Sequence, residues 1–136
     1  MTCPSLTVCV AVGTQDRVGL PPRTLVMRRN GGPWTIEASP NATLLPDNGV
    51  QAVTCRSADT CVAVGANSAG ENDAHTLIER WNGSRWVLRS TPNVRGADLN
   101  LLSGISCPTA TRCWAVGYWI APGRVRPLVL RGDGSD

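Results

Sequence analysis

The chain has 136 residues, the size of one domain, and 42% hydrophobic against 17% charged residues describes a globular chain with a core rather than a disordered one. The net charge of +3 comes from 13 basic residues, all arginine; Arg17, Arg23, Arg56, Arg95 and Arg124 scatter through expected loops, without the dense run that neutralises several phosphates together, so no nucleic-acid partner is expected. No apolar run approaches the roughly 18 residues of a membrane span, and the N-terminus lacks the charged start and long apolar stretch of a secretory signal.

Phe is absent and Tyr occurs once, so Val, Leu, Ile and Trp fill the large apolar positions and favour strands over helices. In chain order, Cys3 is followed by CVAVG at Cys9 to Gly13, TLVMRRNGGPW at Thr24 to Trp34, Ser39-Pro40-Asn41, and GVQAVTC ending at Cys55. The same series then begins again. CVAVG returns at Cys61 to Gly65, TLIERWNGSRW at Thr76 to Trp86, Thr91-Pro92-Asn93, and LLSGISC ending at Cys107. A third start follows with CWAVG at Cys113 to Gly117, and LVLRGDGS from Leu128 runs one residue out of step. The period is 52 residues, and the first two units share 16 identities over 52 positions. We divide the chain into 1–54, 55–106 and 107–136 (units 1, 2 and 3).

The second unit predicts four strands, at Val50 to Cys55, Cys61 to Ala66, Thr76 to Trp81 and Arg85 to Ser90, with a hairpin signal at Asn82-Gly83 that Asn30-Gly31 repeats in unit 1. No segment carries a sustained helical stripe. Four antiparallel strands at a period near 50 point to blades of a β-propeller, with a solenoid as runner-up. Unit 1 lacks the strand that precedes Cys55 and Cys107, and unit 3 ends before a counterpart of Trp34 or Trp86, which leaves about ten strands, or two and a half blades. A closed propeller needs at least four blades. The chain is therefore expected to be a piece of a longer repeat protein, needing further blades or self-association.

The cysteine pairs Cys3/Cys9, Cys55/Cys61 and Cys107/Cys113 each enclose five residues. Thiolate zinc sites pair ligands two to four residues apart and need four ligands, and His75 is the single histidine, so neither a metal nor another cofactor is expected. A redox CxxC is absent. One cysteine ends a strand and its partner begins the next, so a hairpin brings the two Cα atoms within the roughly 4.4–6.8 Å of a disulfide. Closing so short a loop constrains the unfolded chain by roughly 2.4 kcal/mol per bridge. Three such bridges place the chain in an oxidising compartment.

The units resemble repeats of secreted proteins of actinobacteria and related high-GC bacteria, with patterns near SCPSATACTAVGSY, TLAERWNGSSWSVQPTPNP and LxGVSC. SCPTATRCWAVGYW at Ser106 to Trp119 and TLIERWNGSRWVLRSTPN at Thr76 to Asn93 match closely, and the likeness covers nearly the whole chain. It implies an extracellular β-propeller and no particular reaction. Unit 1 departs at Arg29, where the pattern has Trp, and at Gly32-Pro33. A fainter likeness to the sialidase Asp-box, in Asn30 to Thr35 and Asn82 to Trp86, concerns a structural turn.

Trp34 and Trp86 recur once per unit and are expected to pack between blades. Trp114, Tyr118 and Trp119 stand where unit 2 has Val62, Ala66 and Asn67, and this cluster is the candidate ligand-binding surface, suited to stacking on a sugar or peptide. Arg28, Arg80 and Arg131 recur in register and are expected to pair or stack within their blades; Glu37 and Glu79 are read as solvated. Asp16, Asp47, Glu71, Asp73 and Asp98 are placed in loops, with no spacing that selects a glycosidase acid/base pair. His75 is read as preceding a strand, without the partners of a triad. Arg131-Gly132-Asp133 coincides with the repeat's own turn. Asn41-Ala42-Thr43 and Asn82-Gly83-Ser84 are glycosylation sequons that matter only in a eukaryotic secretory pathway.

No catalytic set is identified. The sequence predicts a non-catalytic, extracellular binding or scaffolding segment with a glycan or protein ligand at the cell surface. The competing reading is a carbohydrate-active, sialidase-like enzyme whose other blades lie elsewhere.

Overall fold

The computed structural model describes residues 1–42, 46–70, 72–109 and 111–133. Every element among them is a strand: β1 (Val8–Arg17), β2 (Leu20–Asn30), β3 (Thr35–Glu37), β4 (Asp47–Ser57), β5 (Thr60–Gly70), β6 (Asp73–Trp81), β7 (Trp86–Arg89), β8 (Leu99–Thr109), β9 (Arg112–Ala121) and β10 (Arg124–Gly132). The four strands expected in unit 2 are all present. β4, β5 and β6 run two to four residues further at one or both ends, because their hairpins extend as ladders past the apolar core. Asp16, Asp47 and Asp73 consequently lie on strands rather than in loops, as do Arg17, Arg23, Arg56 and Arg124; a solvated strand end keeps its backbone bonds whatever its side chains. His75 lies inside β6 rather than before it. Arg95 and Asp98 are outside strands, and Glu71 and Thr43 fall outside the described residues.

Each meander takes its first strand from the end of the preceding repeat, so β4 is counted with unit 2 and β8 with unit 3 from here on, and unit 2 is a four-stranded antiparallel meander, β4-β5-β6-β7. Unit 1 supplies β1-β2-β3 as a separate sheet, with one isolated bridge, Thr2↔Val10, where the first strand stands in unit 2. Unit 3 supplies β8-β9-β10, joined to unit 2 by the single parallel pair Ala74↔Leu99. Neither sheet closes on itself: the strands form three meanders stacked face on face.

Side chains alternate across each strand, and the burial pattern shows which face meets which neighbour. Val10 and Val26 of unit 1 pack on Val50, Val53, Cys61, Ala63, Leu77 and Trp86 of unit 2. Val64 of unit 2 packs on Leu102, Ala115 and Leu128 of unit 3. Each unit thus has a leading face turned to the unit before it and a trailing face turned to the unit after. Among the described residues only β5 has both closed: Cys61 to Gly65 are buried without a break.

The period also explains the invariant glycine of CVAVG. A β-bulge between Val50 and Ala52 brings the carbonyl of Gly49 against Gly65, and a Cβ at Gly65 would fall on that oxygen. Gly117 meets the Leu101 carbonyl in the same way, but at Gly13, where the first strand is reduced to the Thr2 bridge, no atom of the described residues lies within 4 Å of such a Cβ.

A second repeated device ties each meander to the next. Thr24 N–H donates to Asn41 Oδ1 at 3.0 Å and Thr76 N–H to Asn93 Oδ1 at 2.9 Å. Downstream, Ala42 N–H donates to Asn48 Oδ1 and Val94 N–H to Asn100 Oδ1, both at 2.8 Å. The Ser/Thr-Pro-Asn segment is therefore a polar clasp between the third strand of one unit and the first strand of the next.

All three disulfides form, Cys3–Cys9, Cys55–Cys61 and Cys107–Cys113. Their Cα separations of 4.0, 4.0 and 4.1 Å are just below the expected range, because the partners sit directly opposite, as in Cys55↔Cys61. Intact-mass analysis with alkylation should label no cysteine in the folded, oxidised protein and all six after reduction. Gly65→Ala should cost at least about 2 kcal/mol of unfolding free energy by overpacking against backbone. Gly13→Ala should change it by no more than about 0.5 kcal/mol. Urea denaturation of the two variants checks the contrast.

Candidate functional site

The seam between units 1 and 2 holds the charged and aromatic groups that sequence position alone left scattered. Arg28 leaves the trailing face of β2 and Glu37 the end of β3; Arg28 Nε–H donates to Glu37 Oε1 at 2.6 Å, and Nη1–H to the Ala58 carbonyl of unit 2 at 2.9 Å. The guanidinium lies 4.4 Å from the centre of the Trp81 ring, and Trp86 Nε1–H donates to the other Glu37 oxygen at 2.9 Å. Trp81 and Trp86 are 5.9 Å apart at a tilt of 51°. Arg28 and Glu37 of one unit thus grip the two tryptophans of the next. Glu37 is therefore ion-paired rather than merely solvated, and Arg28 reaches beyond its own unit.

Glu79 also departs from expectation. It points from the leading face of β6 into the same seam and is fully buried. Ser39 Oγ–H of unit 1 donates to its Oε2 at 2.6 Å, and Thr24 Oγ1 is 2.8 Å from Ser39 Oγ. Oε1 has no hydrogen-bond partner among the described residues. Burial pushes the carboxyl up from 4.5 to about 7, against the opposing pull of the Ser39 and Thr24 hydroxyls. Met27 and Leu130 occupy the corresponding places in units 1 and 3, so this acid belongs to one seam. An ERW triplet beside a hydrophobic i±2 pattern was the available signal; charge alone suggested solvent.

The expected aromatic cluster is divided by strand alternation. Trp114 and Tyr118 lie on the trailing face of β9 with Val116 between them, all three exposed by 41–45%. Trp119 points the other way and packs against the core shared by units 2 and 3. Trp114 does not face the core, and Arg131, paired opposite it, places its guanidinium 5.7 Å from its ring. Trp86 is buried between units, as expected, whereas Trp34 is 37% exposed, its face left open by the described residues. Asp73 and His75 make an exposed contact of 3.4 Å. Asn82 Oδ1 accepts from Ser84 N–H and Arg85 N–H at 3.0 and 2.9 Å, which makes the Asn-Gly signal a four-residue loop organised by a side chain.

A cleft of about 590 Å³ opens in the seam between units 2 and 3. Its walls include Val62, Ile78, Ile105, Ala115 and Leu130, with Arg89 and Arg131. Among the described residues no three His, Cys, Asp or Glu side chains gather as a metal site, and no helix is long and apolar enough to cross a membrane. No protein-family model, curated protein or solved structure matches the chain.

The buried carboxyl sets a pH dependence. Its pKa is higher folded than unfolded, so the folded state holds the extra proton; stability is greatest below about 4.5 and is lost as pH rises through about 7. The loss is on the order of 3 kcal/mol. Wild-type unfolding free energy, measured by urea titration, should fall between pH 5 and pH 8, and Glu79→Gln should flatten that fall. Parallel profiles for the two proteins would rule the assignment out.

Proposed function

We propose that the chain is a non-catalytic, extracellular scaffolding segment built of propeller-type blades, whose partner is a protein surface offering a face like its own. One observation carries this reading. The positions that bury the two internal seams are left exposed or half-buried at both ends. Leading positions Ala63, Leu77, Trp86 and Leu88 pack in the first seam, while Ala11, Leu25, Trp34 and Ile36 stand on the uncovered face of unit 1. Trailing positions Val10, Val64 and Ile78 pack in the seams, while Trp114, Val116 and Val129 stand on the uncovered face of unit 3.

Two such ends are complementary, because each seam is already a leading face laid on a trailing face. A contact of this heterologous kind closes into a ring or continues as a filament. Trp114 and Tyr118, larger than Val62 and Ala66, add bulk on the face that would meet unit 1, where β1 has only the Thr2 bridge in place of a first strand. The disulfides support an oxidising compartment. The competing enzyme reading needs carboxylates converging on one surface, whereas Glu37 and Glu79 are engaged in holding units together.

Sedimentation velocity tests this. The wild-type chain should associate with rising concentration, and Val116→Arg should hold it monomeric with unchanged circular dichroism. A wild-type monomer across the micromolar range, or a glycan array that shows saturable sugar binding at Trp114, would overturn the protein-scaffold reading.

A further inference from the structure

The two seams are held by different kinds of bond. Unit 1 is a sheet of its own, and among the described residues no strand of it pairs with a strand of unit 2. Hydrogen bonds cross this seam from side chains: Arg28 to the Ala58 carbonyl, Trp86 to Glu37 and Ser39 to Glu79. Units 2 and 3 share a backbone joint, the parallel pair Ala74↔Leu99, beside which Ala74 N–H donates to the Asp98 carbonyl at 3.0 Å. The buried side chains of β1 and β2, Val8, Val10, Thr24 and Val26, alternate onto the trailing face, so separation from unit 2 leaves that hairpin without a core.

One member of the side-chain grip is an acid with no cation of its own. Thr91 holds the place of Ser39 in unit 2, and its hydroxyl turns back to its own unit, donating to the Thr76 carbonyl at 3.0 Å. Ser39 instead reaches forward to Glu79 at 2.6 Å, so the clasp of the first seam is tied to an ionisable group. Glu79 has Ala63 opposite it on β5 and Leu88 opposite it on β7. The charged groups facing it from unit 1 are Arg28 of β2 and Glu37 of β3, which pair with each other; β1 adds only the exposed Asp16 and Arg17 at its tip. On its own strand His75 and Asp73 share its face at the exposed end and contact each other, while Asp47 and Arg56 of β4, Arg80 of β6 and Arg89 of β7 alternate onto the other face. The neutral acid fits this site through Ser39. The carboxylate loses its water and keeps one hydroxyl donor in return.

We propose that Glu79 is a proton-operated latch on the first seam: with the carboxyl protonated unit 1 stays seated on unit 2, and with it ionised unit 1 opens ahead of the rest of the chain. Local opening of this kind occurs where a segment has side-chain contacts but no ladder to its neighbour. Burial holds the carboxyl up at about 7 when the seam is closed, and water returns it to its ordinary range near 4.5 when the seam opens. Opening is therefore favoured as pH rises, by roughly 50- to 100-fold between pH 5 and pH 8. Release bares Val53, Leu77 and Trp86, the face of unit 2 that unit 1 covers.

Amide hydrogen exchange on the intact 136-residue chain at pH 5 and pH 8, with each rate corrected for the intrinsic effect of pH on exchange, tests the latch. Protection of the β1–β2 ladder should fall roughly 50- to 100-fold from the lower pH to the higher, while that of the β8–β9 ladder holds. Glu79→Gln should abolish the fall and His75→Gln should leave it. Ser39→Ala removes the hydroxyl that favours the carboxylate, so it should move the fall to higher pH; it also decides the matter if Glu79→Gln does not fold. Val116→Arg, on the outer face of unit 3, should change nothing, so self-association and the latch can fail separately. Equal falls in both ladders, no fall, or a fall that survives Glu79→Gln or disappears with His75→Gln would overturn the inference.

Discussion

A β-strand offers its side chains alternately to two faces, and in this protein both faces of the second strand of each unit are apolar. Val10 and Ala11, Val62 and Ala63, Trp114 and Ala115 are adjacent residues that point in opposite directions. A four-stranded meander with such strands cannot satisfy itself, because folding it buries neither face. Burial comes from the next unit, and only the central unit has neighbours on both sides. The bulge and close glycine contact at Gly65, the Ser/Thr-Pro-Asn clasp and the two internal cores all follow from holding one meander against the next at a fixed spacing.

The seams are not equivalent, and the differences concentrate the chemistry. The first is sealed by two tryptophans, an Arg–Glu pair and a buried carboxyl. A lone buried carboxylate is costly, and the Ser39 hydroxyl only partly offsets the loss of water. In the second seam Leu130 replaces Glu79, Gly132 replaces Trp81 and Arg89 replaces Glu37, so the polar grip is gone and a cleft remains. Arg28 and Arg131 show how one repeated residue acquires two roles. The first has an acid, a carbonyl and an indole around it; the second borders open space and lies near a tryptophan of its own unit.

Much of the architecture was legible because it is periodic. Cysteine spacing, CVAVG, the TLxxR strand and the Asn-Gly turn recur at a period long enough for four strands, and those strands and the three disulfides are present. The unit that each glycine faces was not legible, since Gly13 and Gly65 read alike while only one touches backbone. Strand ends were underestimated because polar residues such as Asp16 and Asp73 looked like loops, although a projecting hairpin needs backbone pairing and no apolar side chains. Grouping Trp114, Tyr118 and Trp119 by proximity in sequence passed over the alternation that separates the third from the other two.

Local spacing by itself determined the strands, their turns and the disulfides, because hairpin pairing and a six-residue cysteine separation act over distances the chain sets directly. Face-to-face stacking decided the rest. Whether Glu79 meets water, whether Trp34 or Trp86 is covered, and where a cleft opens depend on residues about one repeat away. Burial is a property of what lies opposite a side chain, and in a stacked repeat that neighbour is supplied by the adjoining unit.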